Sequence, residues 1–187
     1  MRVIAGKAKG RELTAPKGLN TRPTLAKVKE AIFGMIQFDI ADANVLDLFS
    51  GSGGLGIEAI SRGARHAVFC DRDRSALAAV RTNLKRLGIE EQATVYSMDS
   101  IALLDQLQTS GVKFDIVLLD PPYESDLMSR ALAKLDENGL LSSEALIICE
   151  HSLDNPPVFS GNYTVKEPRK YGDSYVTKAV YAGAEEK

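Results

Sequence analysis

With 187 residues, 44% hydrophobic and 26% charged, the chain can bury roughly 70% of its unfolded surface around one core. Its apolar runs are strand-sized, as at Ile116 to Leu119, far short of the ~18 residues of a membrane span, and no signal-peptide pattern opens it, so export and membrane insertion are not expected. Cys70 and Cys149, each inside an apolar run, exclude a disulfide framework or a cysteine-based zinc site and fit a reducing cytoplasm.

The net charge of −2 hides an asymmetry: Met1 to Gln37 hold eight Lys/Arg against Glu12 and Glu30, a local +6, and the remainder carries −8. An anionic partner is therefore expected at the N-terminal end, the bland alternative being a solvated basic arm. Residues 1–23 mix Val3-Ile4 and Leu13 with glycines, lysines and two prolines, the composition of a small hairpin or arm. From Thr24, a plausible N-cap, Leu25, Val28, Ala31, Ile32, Met35 and Ile36 keep helical spacing, predicting a helix to about Gln37.

A regular alternation follows, with strands expected at Asn44 to Phe49, His66 to Asp71, Ala93 to Ser97, Phe114 to Leu119 and Ala145 to Glu150. Helices are expected between them at Gly54 to Arg62, Ser75 to Leu87, Ile101 to Gln108 and Leu127 to Leu135. Five strands joined by four helices imply an α/β fold with a mainly parallel sheet covered on both faces. Tyr163 to Lys166 and Tyr175 to Tyr181 are β-rich and separated by Lys170-Tyr171-Gly172-Asp173, so a C-terminal antiparallel hairpin should complete a seven-stranded sheet. The expected organisation is an N-terminal extension, 1–23, before one α/β domain, 24–187.

The first strand leads into Asp47-Leu48-Phe49-Ser50-Gly51-Ser52-Gly53-Gly54-Leu55-Gly56 and then a helix. Glycines permit close backbone approach, and the helix N-terminus offers unpaired N–H groups to an anion. Gly51, Gly53 and Gly56 satisfy G-x-G-x-x-G, and Asp71 lies 20 residues after Gly51, as in nicotinamide enzymes. Asp47 argues against that reading, because a carboxylate four residues before the first glycine attracts a cation. A zwitterionic ligand fits better. S-adenosylmethionine would place its amino group near Asp47, its carboxylate near the loop amides, its ribose on Asp71 and its adenine amino group on Asp99. The competing structural role for Asp71 and Asp99 is helix capping.

The fourth strand runs into Asp120-Pro121-Pro122-Tyr123. Consecutive prolines fix φ and remove N–H donors, so the turn is stiff and its carbonyls are aimed. Asp120 and a turn carbonyl can accept both hydrogens of an exocyclic NH₂ while the Tyr123 ring stacks on an extruded base. Those bonds would localise the amine lone pair and stabilise the charge developing as it attacks a sulfonium methyl. No metal is called for, and with only His66 and His151 no metal-ligand cluster is evident.

Together the two motifs resemble amino-group N-methyltransferases with an Asp/Asn-Pro-Pro-Tyr/Phe signature. Arg2-Val3-Ile4-Ala5-Gly6, Gly10-Arg11 and Thr21-Arg22-Pro23-Thr24, followed by Val28 and Ala31-Ile32-Phe33, are similar to the N-terminal signature of the RsmD family, and the likeness spans nearly the whole chain. It implies a Rossmann-like class I methyltransferase fold, a cytoplasmic enzyme, S-adenosylmethionine as methyl donor, and guanine N2 of 16S ribosomal RNA as target. Guanine 966 in an assembling 30S particle is the implied site, with no membrane partner and a monomer favoured. By motif, Arg22 and Thr24 would help close the cofactor pocket, with Phe49 in its wall, and Arg2, Lys7, Lys9, Arg11 and Lys17 would meet RNA phosphates. Lys27 and Lys29 stand where the family often has Arg, keeping the charge but losing the bidentate fork, and Gly34 replaces a frequent Asn; these departures bear on the RNA contacts more than on the chemistry. Rival readings are a DNA adenine or cytosine amino methyltransferase, for whose target-recognition insertion there is little room, protein-glutamine methylation, a nicotinamide oxidoreductase, and a non-catalytic RNA-binding module.

Overall fold

Strands β1 (Asn44–Asp47), β2 (His66–Asp71) and β4 (Phe114–Leu119) read as almost unbroken apolar runs because, lying inside a parallel sheet, they are covered on both faces. With β3 (Ala93–Ser97), β5 (Leu141–His151), β6 (Tyr163–Val165) and β8 (Ser174–Tyr181) they form a continuous sheet in the order β3-β2-β1-β4-β5-β8-β6. The first five run parallel, and β8 enters antiparallel between β5 and β6. This computed structural model describes residues 1–16, 23–122 and 126–183, excluding the side chains of 23–25.

Two differences from the sequence reading lie at the C-terminal end. Lys170 and Tyr171 are not turn residues: they belong to β7 (Arg169–Tyr171), which pairs with the start of β8, leaving only Gly172-Asp173 as the tight turn. Since β6 and β7 pair with successive stretches of β8, together they act as one interrupted strand. Strand β5 starts at Leu141, earlier than its apolar run, and is interrupted at Glu144, which takes a left-handed φ of 61°. That bulge shifts the register from Phe114↔Leu141 to Ile116↔Leu146.

Helices α1 (Pro23–Met35), α2 (Gly54–Ser61) and α3 (Arg74–Leu87) pack on one face through Ile32, Phe33, Ile57 and Leu77; α4 (Ser100–Leu107) and α5 (Leu127–Glu137) pack on the other through Leu103, Leu104 and Leu132. The first helix begins at Pro23, so Thr24 lies within it and is not its cap: proline's fixed φ and missing N–H suit the first helical position. No helix of the described residues is long and apolar enough to cross a membrane.

The N-terminal residues double back on themselves, Val3 N–H donating to Arg11 O at 3.0 Å and Gly10 N–H to Val3 O at 2.9 Å. Val3 and Leu13 reach the core of the α1–α3 face. Fully buried Glu58 on α2 accepts the N–H groups of Ile4 (2.8 Å) and Ala5 (2.9 Å). Asn83 on α3 binds both the N–H and the carbonyl of Thr14. Only glycine fits where the arm crosses α2: a Cβ on Gly6, at φ +81°, would stand 1.8 Å from the Ser61 carbonyl oxygen.

Candidate active site along the strand ends

The sheet order dictates what meets at its C-terminal edge. The ends of β3, β2, β1, β4 and β5 and the segments that follow them bring Met98 and Ser100, Asp71 and Arg72, Asp47 to Ser52, Asp120 to Pro122, and Glu150 into the wall of one cavity of about 490 Å³. The edge is where ligands bind in open α/β sheets, and the strand order reverses beside β1. Val28 and Lys29 of α1, with Met1 and Ala15 of the arm, line the same cavity.

At the glycine-loop end, backbone N–H groups are held by acids. Gly56 N–H donates to Asp47 Oδ2 at 2.8 Å, and Gly51 N–H to Asp71 Oδ2 at 2.8 Å. The second oxygen of Asp71 accepts Asp73 N–H at 2.9 Å, so Asp71 shapes the loop whether or not it also meets a ligand. Gly53 turns the chain into α2 at φ +82°. Gly56 allows α2 to touch the sheet, since a Cβ there would lie 2.3 Å from the Phe69 ring and 3.1 Å from Asp47 Oδ2. Phe49 and Gly51 line the cavity. Asp99 Oδ1 caps α4 through Ile101 N–H (3.0 Å) and Ala102 N–H (3.1 Å), while Oδ2 faces Arg72 at 4.0 Å; its neighbours Met98 and Ser100 supply the wall.

Two observations at this end call for a ligand. Burial pushes the Asp47 carboxyl up to about 7, with Gly56 N–H pulling down and the Asp71 charge adding to the rise, so a cation arriving here would ionise it. Ser50, also in the cavity wall, has a buried Oγ without a hydrogen-bond partner among the described residues, a state that polar groups rarely keep without a ligand or water.

At the other end, Asp120, Pro121 and Pro122 line the cavity. Tyr123 lies outside the described residues. Alternation explains which way the acids face. Val45, Leu118 and Ile148 belong to the core on the α1–α3 face, whereas Leu46, Leu119 and Cys149 belong to the opposite one. Side chains switch faces at each residue of a strand, so Asp47, Asp120 and Glu150 all fall on the α1–α3 face. Burial, then Glu150 and then Asp47 raise the Asp120 carboxyl well above the usual carboxylate range.

Of the residues assigned to RNA, Lys7 and Lys9 are exposed on the arm. Arg2 pairs with Glu12 at 3.8 Å, and Arg11 donates to the Arg86 carbonyl at 3.2 Å. Lys17 and Arg22 lie outside the described residues, as does the Thr24 side chain. Lys29, which stands where the family often has Arg, is buried: its Nζ bonds the Arg2 carbonyl at 2.6 Å and Glu58 at 3.0 Å. Spacing gave the signal for this, because Lys29 stands three residues before Ile32 and seven before Ile36 on the apolar face of α1. Glu150 and Ser50 were also unassigned by sequence.

Comparison with known proteins adds to this geometry. The model of the family described as conserved hypothetical protein 95 matches residues 1–180. A Bacillus subtilis protein provisionally named rRNA methyltransferase YlbH is 41% identical over 178 residues, covering 95% of this chain and 91% of that one. Ribosomal RNA small subunit methyltransferase D of Haemophilus influenzae is 36% identical over 173 residues, covering 92% and 89%. Among solved structures, yhhF from Escherichia coli, provisionally named a methyltransferase, superposes with a TM-score of 0.87 at 30% identity and 99% coverage of both chains.

Proposed function

The chain belongs to the conserved hypothetical protein 95 family, and we propose on that footing that it transfers a methyl group from S-adenosylmethionine to the exocyclic N2 of a guanine in small-subunit ribosomal RNA. Guanine 966 of the 16S molecule, in an assembling 30S particle, is the target implied by the resemblance. The observation that carries the reading is the single cavity that runs from the glycine loop, with its unsatisfied Ser50 Oγ, to the proline-stiffened Asp120 corner.

The cofactor supplies an electrophilic methyl carbon on a sulfonium sulfur. Asp47 would hold its ammonium, the loop amides its carboxylate, Asp71 its ribose, and Asp99 with Met98 and Ser100 its adenine. At the target, Asp120 and a turn carbonyl accept the two N2 hydrogens, keep the amine lone pair out of the ring, and stabilise the positive charge that develops on nitrogen. The surplus proton on the nitrogen passes to bulk water after transfer. Pro121 and Pro122 fix the turn, and Tyr123 offers a stacking face for the extruded base. Residues 1–23 would face the RNA, Lys7 and Lys9 meeting phosphates, while 24–187 carry the chemistry.

Mass spectrometry of rRNA from a strain lacking the protein tests this directly. One N2-methylguanine in the small-subunit RNA should be lost and restored by the gene in trans; an unchanged modification profile overturns the reading. S-adenosylhomocysteine, and not NADH, should raise the melting temperature, which separates the proposal from a nicotinamide oxidoreductase.

A further inference from the structure

An acid that accepts the hydrogens of an aromatic amine does not by itself distinguish guanine from adenine or cytosine, since all three carry an exocyclic NH₂. The neighbouring ring nitrogen does. Beside N2 of guanine stand a bare N3 on one side and N1–H, a donor, on the other; beside the amine of adenine or cytosine the one adjacent ring nitrogen is bare, an acceptor. An ionised carboxylate only accepts hydrogen bonds. A second carboxylate next to Asp120 would therefore favour guanine and repel the other two.

Glu150 occupies that position. Leu119 and Cys149 are the last registered partners of parallel strands β4 and β5, where strands stand about 4.8 Å apart, so Asp120 leaves the end of β4 beside Glu150 of β5. Both line the cavity, and Glu150 is only 5% exposed. The influence of Glu150 on the Asp120 carboxyl is consistent with this proximity. Rigidity follows from the sheet, because Glu150 also pairs with Val176 on β8, and the following His151 is anchored to Thr177 Oγ1 at 2.8 Å and stacked on Tyr175. A reader of base edges needs such a fixed mount.

We propose that Glu150 is the specificity-determining residue for the base, its carboxylate accepting guanine N1–H while Asp120 and the turn carbonyl take the N2 amine. This rests on the reading of the site as a guanine-N2 methyltransferase. Small-subunit particles reconstituted with either guanine or 2,6-diaminopurine at the target position provide the test, because diaminopurine keeps the N2 amine but presents a bare N1. The unaltered protein should methylate the guanine particle about 100-fold faster, and bind it more tightly in the presence of S-adenosylhomocysteine. Glu150→Gln, whose amide can donate to the bare N1, should shrink both preferences to within about tenfold, with its melting shift on S-adenosylhomocysteine intact.

Equal transfer to both particles by the unaltered protein overturns the role of Glu150 and leaves the methyltransferase reading standing. So does an unchanged preference in a folded Glu150→Gln. Should that variant fail to fold, the comparison of the two particles with the unaltered protein decides. Transfer to neither base overturns the underlying reading as well.

Discussion

The two ends of the cavity use acids in opposite ways. At the glycine-loop end, Asp47, Asp71 and Asp99 each accept backbone N–H groups at 2.8 to 3.1 Å, so part of their capacity is committed before any ligand arrives and the loop keeps its shape. At the proline end two residues of the turn have no N–H to give, and Asp120 stands beside Glu150 with burial and that neighbour both opposing its charge. The first end is built in advance. The second is completed by a ligand that brings its own donors, as an amino-bearing base does.

The sharpest way to break this contrast is Asp120→Ala. Methyl transfer should fall by about 100- to 1,000-fold, in line with removal of a group that stabilises developing charge, while the melting shift produced by S-adenosylhomocysteine stays close to that of the parent. Near-normal turnover would remove Asp120 from its role. A lost melting shift would mean that the two ends do not act separately.

Asp47→Asn probes the prebuilt end, with an expected loss of about 100-fold in S-adenosylhomocysteine affinity. Its pKa of about 7 in the folded protein exceeds the 3.8 of an unperturbed aspartate, so the native state binds a proton more tightly than the unfolded state between those values. Stability therefore falls as pH rises from about 4 to 7 and levels off above, and at pH 8 the asparagine variant should be more stable by about 2–4 kcal/mol. Ligand affinity of the parent should weaken as pH drops below about 7, when the carboxyl protonates. Melting curves from pH 5 to 8.5, with and without ligand, check both signs. A parent and variant with parallel pH profiles would contradict the assignment.

Gly56→Ala tests whether the glycine end owes its shape to close packing. The added methyl meets the Phe69 ring, a buried and well-packed neighbour, so a loss of about 1–3 kcal/mol in denaturant unfolding is expected. The variant should also bind S-adenosylhomocysteine more weakly, because pushing α2 away from the sheet draws the Gly56 N–H off Asp47 and releases that carboxyl from its fixed position. Wild-type stability would show that the loop tolerates a wider separation of α2 from β2.

How much of this was legible in the sequence depends on the range of the signal. Buried parallel strands announce themselves as apolar runs, and the residues that follow them inherit their places, so Asp47, Asp71, Asp120 and the two prolines could be set at one edge from chain order. Strands β6 and β7 have three residues each and rest on pairing with β8, and so the residues of β7 were read as part of the turn. Glu150 was read as the end of an apolar strand, although its even spacing from Leu146 and Ile148 already fixed its face. Lys29 failed differently. A lysine in a basic segment reads as solvated, and only the tertiary approach of Glu58 from α2 makes its burial tolerable.

The smallest expected effect concerns the arm, whose backbone serves the cavity while its cations face outward. Met1 and Ala15 line the cavity and Glu58 ties Ile4 and Ala5 to α2, whereas Lys7 and Lys9 extend into solvent from the same segment. Neutralising Lys7, Lys9 and Arg11 together should therefore leave folding and S-adenosylhomocysteine binding unchanged but lower the slope of log K for RNA against log salt by about 2–3, one increment for each phosphate no longer neutralised. Arg11 is the weakest of the three, since one of its nitrogens is already engaged by Arg86 O, and restoring it alone should recover the least. An unaltered slope would make the arm a wall of the cavity and nothing more.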